Sequence, residues 1–422
     1  MISLFDLAAL LLTLSALFGW VNYRLVRLPH TIGLLVMGLA ASLLLVLLDL
    51  IFPGQHLYDQ VKEPLAQIDF TQVMMNGMLA FLLFAGAIHL DVGALRDRAW
   101  AVAFLALVGT MISTVLVGVA FYGVARVLGL SLPLSWAFVF GALISPTDPV
   151  AVLATLKNVK VPQALEVEMQ GEALFNDGVG VVLFTALVAF AVNSGGDPGG
   201  IEALLEGLLR EAFGGLALGA LTGYAAYRAM RAIDDFPVEV LITLALVTGT
   251  YALAQKLGTS GPLAVVAAGL LIGERAPRYA MSERTRTYVS ALWTLIDEVL
   301  NSVLFLLIGL EVLVLRFEPS ALGLAAAAVP IVLVARLIAV STPLIAFRWS
   351  AHLSIRNVPF LVWAGLRGGI SVALALALPD SPSKSAILAA TYAVVLFTII
   401  VQGSTLGIVA RRTLGQVGEV AE

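Results

Sequence analysis

Apolar positions along this chain come in runs of roughly twenty residues, the length one helix needs to cross a bilayer. Short polar stretches and turns carrying glycine or proline separate them. Thirteen such runs stand near 3–23, 31–52, 71–90, 99–125, 134–156, 165–191, 207–228, 238–255, 260–274, 290–313, 320–347, 358–378 and 385–410. They are too long and unbroken to be the alternating strands of a membrane barrel, which run to about ten residues. The pattern predicts an all-α polytopic membrane protein of about thirteen spans. No low-complexity linker divides it, so one membrane domain over 1–422 is expected.

Composition agrees: 60% of the residues are hydrophobic and 12% are charged, against roughly 25% charged in a soluble domain. That excludes a soluble enzyme. Zero cysteines exclude a disulfide framework, a thiolate metal site and a cysteine nucleophile. None of the four histidines sits deep in a span, so a membrane enzyme lacks its constellation. No cofactor and no nucleic-acid partner is expected.

The net charge of −4 adds nothing, but the positions of the charges do. Cytoplasmic loops are enriched in Lys and Arg. One set of alternate loops holds sixteen basic residues: Arg24, Arg27, Arg96, Arg98, Lys157, Lys160, Arg228, Arg231, Arg275, Arg278, Arg284, Arg286, Arg348, Arg356, Arg411 and Arg412. The opposite set holds five: Lys62, Arg126, Lys256, Arg316 and Lys384. The split predicts a multi-pass plasma (inner) membrane protein with its N-terminus outside and its C-terminus in the cytoplasm. The first run has no basic n-region or cleavage site and reads as a retained span. No cytoplasmic regulatory domain is expected after the last span.

An ionisable residue deep in a span costs at least ~2.5–3.5 kcal/mol on insertion scales, so each one needs a reason. Asp148 lies in the fifth predicted span, Glu172 and Asp177 in the sixth, Arg336 in the eleventh and Arg367 in the twelfth. Three acids against two bases leave one carboxylate for a proton or another cation. Asp148 sits in Ser145-Pro146-Thr147-Asp148-Pro149, where two prolines three apart predict a broken helix. Broken helices at membrane depth build ion sites from freed carbonyls and helix-end dipoles. In Gly171-Glu172-Ala173-Leu174-Phe175-Asn176-Asp177-Gly178, helical spacing lets Asn176 and Asp177 address one cavity while Glu172 turns toward another partner. Arg336, mid-span, is the natural partner for Glu172.

Gly365-Leu366-Arg367-Gly368-Gly369 weakens the twelfth span around its arginine. It lies seven spans after the first break, so the two breaks run in opposite directions, as an inverted repeat demands. Arg367 is placed to counter helix C-terminal ends. Spans one to six and eight to thirteen form the halves, with 207–228 as connector. Asp297, Glu298 and Asn301 in the tenth span read as interfacial or structural. His89 and Asp91, ending the third, read as boundary residues.

Taken together, Ser145-Pro146-Thr147-Asp148-Pro149, Gly171-Glu172, Asn176-Asp177, Ala335-Arg336 and Gly365-Leu366-Arg367-Gly368 resemble the monovalent cation:proton antiporter-1 family, the bacterial NhaP-type and animal NHE-type sodium/proton exchangers. The resemblance runs from about Leu28-Pro29 to the last span. It implies thirteen helices in six-helix inverted repeats, a homodimer in the lipid bilayer, and exchange of monovalent cations for protons. The transport core would be residues 99–191 and 320–410, and the dimerisation region residues 1–90 and 238–313. Asp177 would bind Na+ or a proton, with Asp148 and Thr147 as further Na+ donors and Asn176 in support; Glu172 and Arg336 would be the internal ion pair. Members with Asn-Asp at 176–177 resemble electroneutral exchangers. Relatives often carry a serine where this chain has Ala173, and some use an acid in the third span where it has Phe84-Ala85-Gly86. Exchange of K+ for H+ on the same scaffold is one alternative. A cation channel is another class, but the repeated pore loop or ring of charge that it would use does not appear in the sequence.

Overall fold

Backbone crossing hydrocarbon must satisfy its own N–H and C=O groups, and the apolar runs accordingly fold as helices. The structure, a computed structural model, describes residues 4–52, 73–156, 161–193, 200–312, 319–346 and 357–414, and no strand occurs among the described residues. Lys62, Lys157, Lys160, Arg316, Arg348 and Arg356 of the topology count lie outside them, as does the start of the third predicted span at 71–72.

In chain order the helices are α1 (Leu4–Val21), α2 (His30–Ile51), α3 (Leu79–His89), α4 (Val92–Asp97), α5 (Ala99–Val127), α6 (Leu134–Ile144), α7 (Pro149–Leu156) and α8 (Gln163–Asn193). There follow α9 (Gly200–Met230), α10 (Phe236–Leu257), α11 (Gly261–Tyr279), α12 (Glu283–Glu311), α13 (Pro319–Ala346), α14 (Val358–Trp363), α15 (Gly369–Leu376) and α16 (Lys384–Leu414). Every predicted run thus holds helix. Nine helical stretches among the described residues are long and apolar enough to cross a membrane by length and composition.

Local chemistry sets several ends. Asp235 accepts from the Val238 N–H at the start of α10, with Pro237 in the first turn. Gly258, at φ +63°, closes α10 in the left-handed conformation, and Ser260 caps α11 through the Leu263 N–H. Asp91 takes the N–H groups of Gly93 and Ala94 at 2.9 and 3.1 Å, which makes this boundary residue the cap of α4.

Packing sorts the helices into two groups. Helix α5 packs on α6 and α13, α6 on α8, and α13 on α16; α2, α3, α9, α10, α11 and α12 pack mainly among themselves. Helix α8 also touches α9 and α11 and so faces both groups. The fifth and twelfth predicted spans are each two half-helices, α6/α7 and α14/α15, separated by 145–148 and 364–368. The two breaks meet: the Asp148 N–H donates to the Leu366 carbonyl at 2.8 Å.

Candidate ion-binding site

Where the two breaks meet, the freed backbone groups are taken up by side chains that the sequence placed deep in the spans. Pro149 opens α7 as its first residue, and the Asp148 carboxylate accepts from the Val150 N–H at 2.8 Å. Asp148 therefore caps the second half-helix, and only Pro146 acts as the breaking proline. At the end of α6 the Ser145 hydroxyl bonds the Gly141 carbonyl at 2.6 Å. The Arg367 guanidinium donates to the carbonyl oxygens of Ser145 and Pro146, the latter at 2.9 Å. A cation buried to 1% exposure thus sits on the negative end of α6. The Arg367 N–H in turn donates to the Thr398 hydroxyl at 3.1 Å, inside a stretch of α16 (Thr398–Gly403) that loosens to a wider turn.

The glycines around Arg367 work by close approach. A Cβ on Gly368 would overlap the Asp148 carboxylate, and one on Gly365 would meet Arg336 Nε at 2.8 Å. Gly180 on α8 receives the Pro146 ring in the same way.

Helix α8 presents its polar residues to different partners. Glu172 and Arg336 form a buried two-point ion pair, with the second contact, Nη2 to Oε2, at 3.0 Å. Arg336 also donates to the Leu361 carbonyl at 3.4 Å. Asn176 turns to the break rather than to the cavity: its amide donates to the Thr147 hydroxyl at 3.0 Å and its oxygen accepts the Thr147 N–H at 3.3 Å. Asp177 alone of the pair lines the cavity. It is 7% exposed, and none of the hydrogen bonds or ion pairs among the described residues reaches its carboxylate.

That cavity holds about 280 Å³, and its walls include Pro146, Thr147, Asp148, Asp177 and Ser371 together with His89, Thr294, Asp297 and Asn301. Asp297 and Asn301 read from the sequence as interfacial or structural; the fold also sets them on the wall of the cavity that Asp177 lines. Ser371, two residues into α15, adds a hydroxyl that the sequence reading missed, although its place just after the glycine break was a usable signal. No three His, Cys, Asp or Glu side chains are grouped to hold a metal ion among the described residues. The oxygens around Asp177 are instead those of separate carboxylates and hydroxyls, the donor type that hard monovalent cations prefer.

Counting charges proved a poorer guide than placing them. Glu168, Glu239 and Glu311 are also buried, at 0%, 0% and 5% exposure, while Asp148 is half-buried. The acid surplus therefore exceeds the single carboxylate expected. These three glutamates sit near helix ends, where sequence reads an interface and neighbouring helices supply the burial. Both carboxylate oxygens of Glu168 also lack a hydrogen-bond partner among the described residues, but the three glutamates line neither this cavity nor the one beside it, so a place on the cavity wall, not charge arithmetic, singles out Asp177.

A search of known families matches residues 11–412 to one described as "Sodium/hydrogen exchanger, transmembrane". The chain belongs to the sodium/hydrogen exchanger family. It is 43% identical over 413 residues to the Na(+)/H(+) antiporter NhaP of Pseudomonas aeruginosa, covering 96% of each chain. It is 35% identical to the Na(+)/H(+) antiporter NhaH of Halobacillus dabanensis, covering 91% of each. Its fold is that of the sodium proton antiporter MjNhaP1 from Methanocaldococcus jannaschii at pH 8: TM-score 0.74, 20% identity, 97% of this chain and 98% of that one covered. As a member of this exchanger family it is a multi-pass membrane transporter.

Proposed function

We propose that this exchanger moves one Na+ against one H+ by letting the two compete for the Asp177 carboxylate. The observation that carries the reading is a nine-tenths-buried carboxylate facing a cavity without a protein donor. A carboxylate in that setting needs a cation or a proton to be at rest. Asp148, Thr147 and Ser371 line the same space and would supply oxygen to a stripped Na+. One group with two mutually exclusive ligands makes exchange obligatory and, at one for one, electroneutral. Alternating access follows when the group of helices around α5, α6, α8, α13 and α16 shifts against α2, α3 and α9 to α12. The second group offers the face for a homodimer, with the N-terminus outside and the C-terminus in the cytoplasm.

Proteoliposomes with a pH-reporting dye test this. Na+ added to the wild type should release the proton gradient, with no effect of a clamped membrane potential on the rate. Asp177→Asn should abolish the signal for every cation. Retained Na+-driven proton movement in that variant would overturn the assignment.

A further inference from the structure

The cavity that Asp177 and Asp148 line carries a third acid on its wall, Asp297, and its walls carry no lysine or arginine among the described residues. Asp297 lies there, half-buried, beside the exposed Thr294 one turn away on α12. Its carboxylate is held in place by the Asn301 amide, which donates to Oδ1 at 3.0 Å and to the Asp297 carbonyl at 2.9 Å. One Oδ1 contact leaves most of the carboxylate's acceptor capacity unspent. The single basic group on the wall is His89, whose Nδ1 bonds the Ala85 carbonyl at 2.7 Å, leaving Nε2 to the Thr294 hydroxyl at 3.2 Å. The ring hydrogen-bonds neutral partners, and it stands near enough to Asp297 to act on it electrostatically without bonding it. Asp177, 7% exposed and without a hydrogen-bond partner among the described residues, lines the same cavity.

We propose that Asp297 is a positioning residue for the transported cation, an entry carboxylate that gathers Na+ at the cavity mouth and passes it to Asp177. A narrow, low-dielectric passage with one sign of charge focuses the field and raises the local concentration of counter-ions. Asp297 stands one helical turn from the exposed Thr294 and is less buried than Asp177, and Asn301 keeps it oriented without neutralising it. The inference rests on cation exchange at Asp177, and its test separates the two.

Na+-driven proton release in proteoliposomes is measured across Na+ concentrations for the wild type, Asp297→Asn, Asp297→Glu and Thr294→Lys. A surface control, Glu283→Gln, lies on the exposed first turn of the same helix. Asp297→Asn should raise the Na+ half-saturation about fivefold with the maximal rate within about twofold. Adding choline chloride should shrink that difference, because exposed charge is screened. Asp297→Glu should restore the wild-type value and Glu283→Gln should not change it. Thr294→Lys, which leaves Asp297 untouched but puts a cation at the mouth, should raise half-saturation as Asp297→Asn does. An unchanged half-saturation in Asp297→Asn and Thr294→Lys would overturn the proposal, as would a fall in maximal rate alone or no rescue by glutamate. If Asp297→Asn fails to fold, Thr294→Lys decides. Loss of this effect with Asp177→Asn still inactive would leave the exchange mechanism standing; activity in Asp177→Asn would remove both.

Discussion

The backbone N–H of Asp148 donates to the carbonyl oxygen of Leu366 at 2.8 Å, and this bond stitches the two helix breaks together. It places the Asp148 carboxylate against Gly368, where even a methyl group would overlap it. Gly368→Ala should therefore push Asp148 off the α7 cap, with loss of exchange and a lower melting temperature in detergent. The cap alone is worth about 1 kcal/mol. Wild-type transport in Gly368→Ala would show that the contact tolerates more than the geometry allows.

The Glu172–Arg336 pair should behave as a structural unit. Removing either partner strands a buried charge and should cost about 3–5 kcal/mol. Arg336→Ala should lower the melting temperature and the abundance in membranes far more than it shifts Na+ half-saturation. Replacing both residues by a well-packed apolar pair should recover some of the stability. An unchanged melting temperature in Arg336→Ala would rule out a stabilising role.

Asn176 and Thr147 exchange two hydrogen bonds, and the chemistry of the replacement decides the result. Asn176→Ala leaves the buried Thr147 N–H without an acceptor and should cost about 1–3 kcal/mol. Asn176→Asp keeps that acceptor, while the Thr147 hydroxyl reverses its role and donates to the second oxygen. Stability should then be largely retained, so any change in the potential dependence of transport would be read on a folded protein. Thermal melts of both variants, together with flux under a clamped potential, check this.

Competition at Asp177 carries its own pH signature. In the range where Asp177 is protonated, each fall of one pH unit should raise the Na+ half-saturation by up to about tenfold, since a tenfold rise in protons must be outcompeted. The maximal rate at saturating Na+ should stay constant over that range. Initial rates in a Na+ and pH matrix would expose a second, non-competing proton site as a falling maximum.

Arg367 closes α6 by donating to the Ser145 and Pro146 carbonyls. Arg367→Lys keeps the charge but loses the planar fork, so it should fold less stably and transport slowly. Arg367→Ala, which leaves those carbonyls and the α6 end uncompensated, should be the worse of the two in expression and melting temperature.

The amino-acid sequence by itself determined the helices, both breaks and the charged residues that line them. Span length, proline and glycine positions and buried charge are local properties, and a bilayer punishes any error in them by several kcal/mol. It also pointed Asp148, Glu172, Asp177, Arg336 and Arg367 inward, but not Asp297 or the buried Glu168, Glu239 and Glu311. It did not decide what each would meet. That Asn176 grips Thr147 while Asp177 is left facing the cavity, and that Asp148 caps α7, depends on how α8 is rotated against the breaks. That Asp297 and Ser371 share the space with Asp177 depends on α12 and α15 converging there from distant stretches of the chain. Hydropathy treats every inward direction alike, because any of them escapes lipid. Only the packing of helix on helix, through contacts such as Pro146 against Gly180, chose among them.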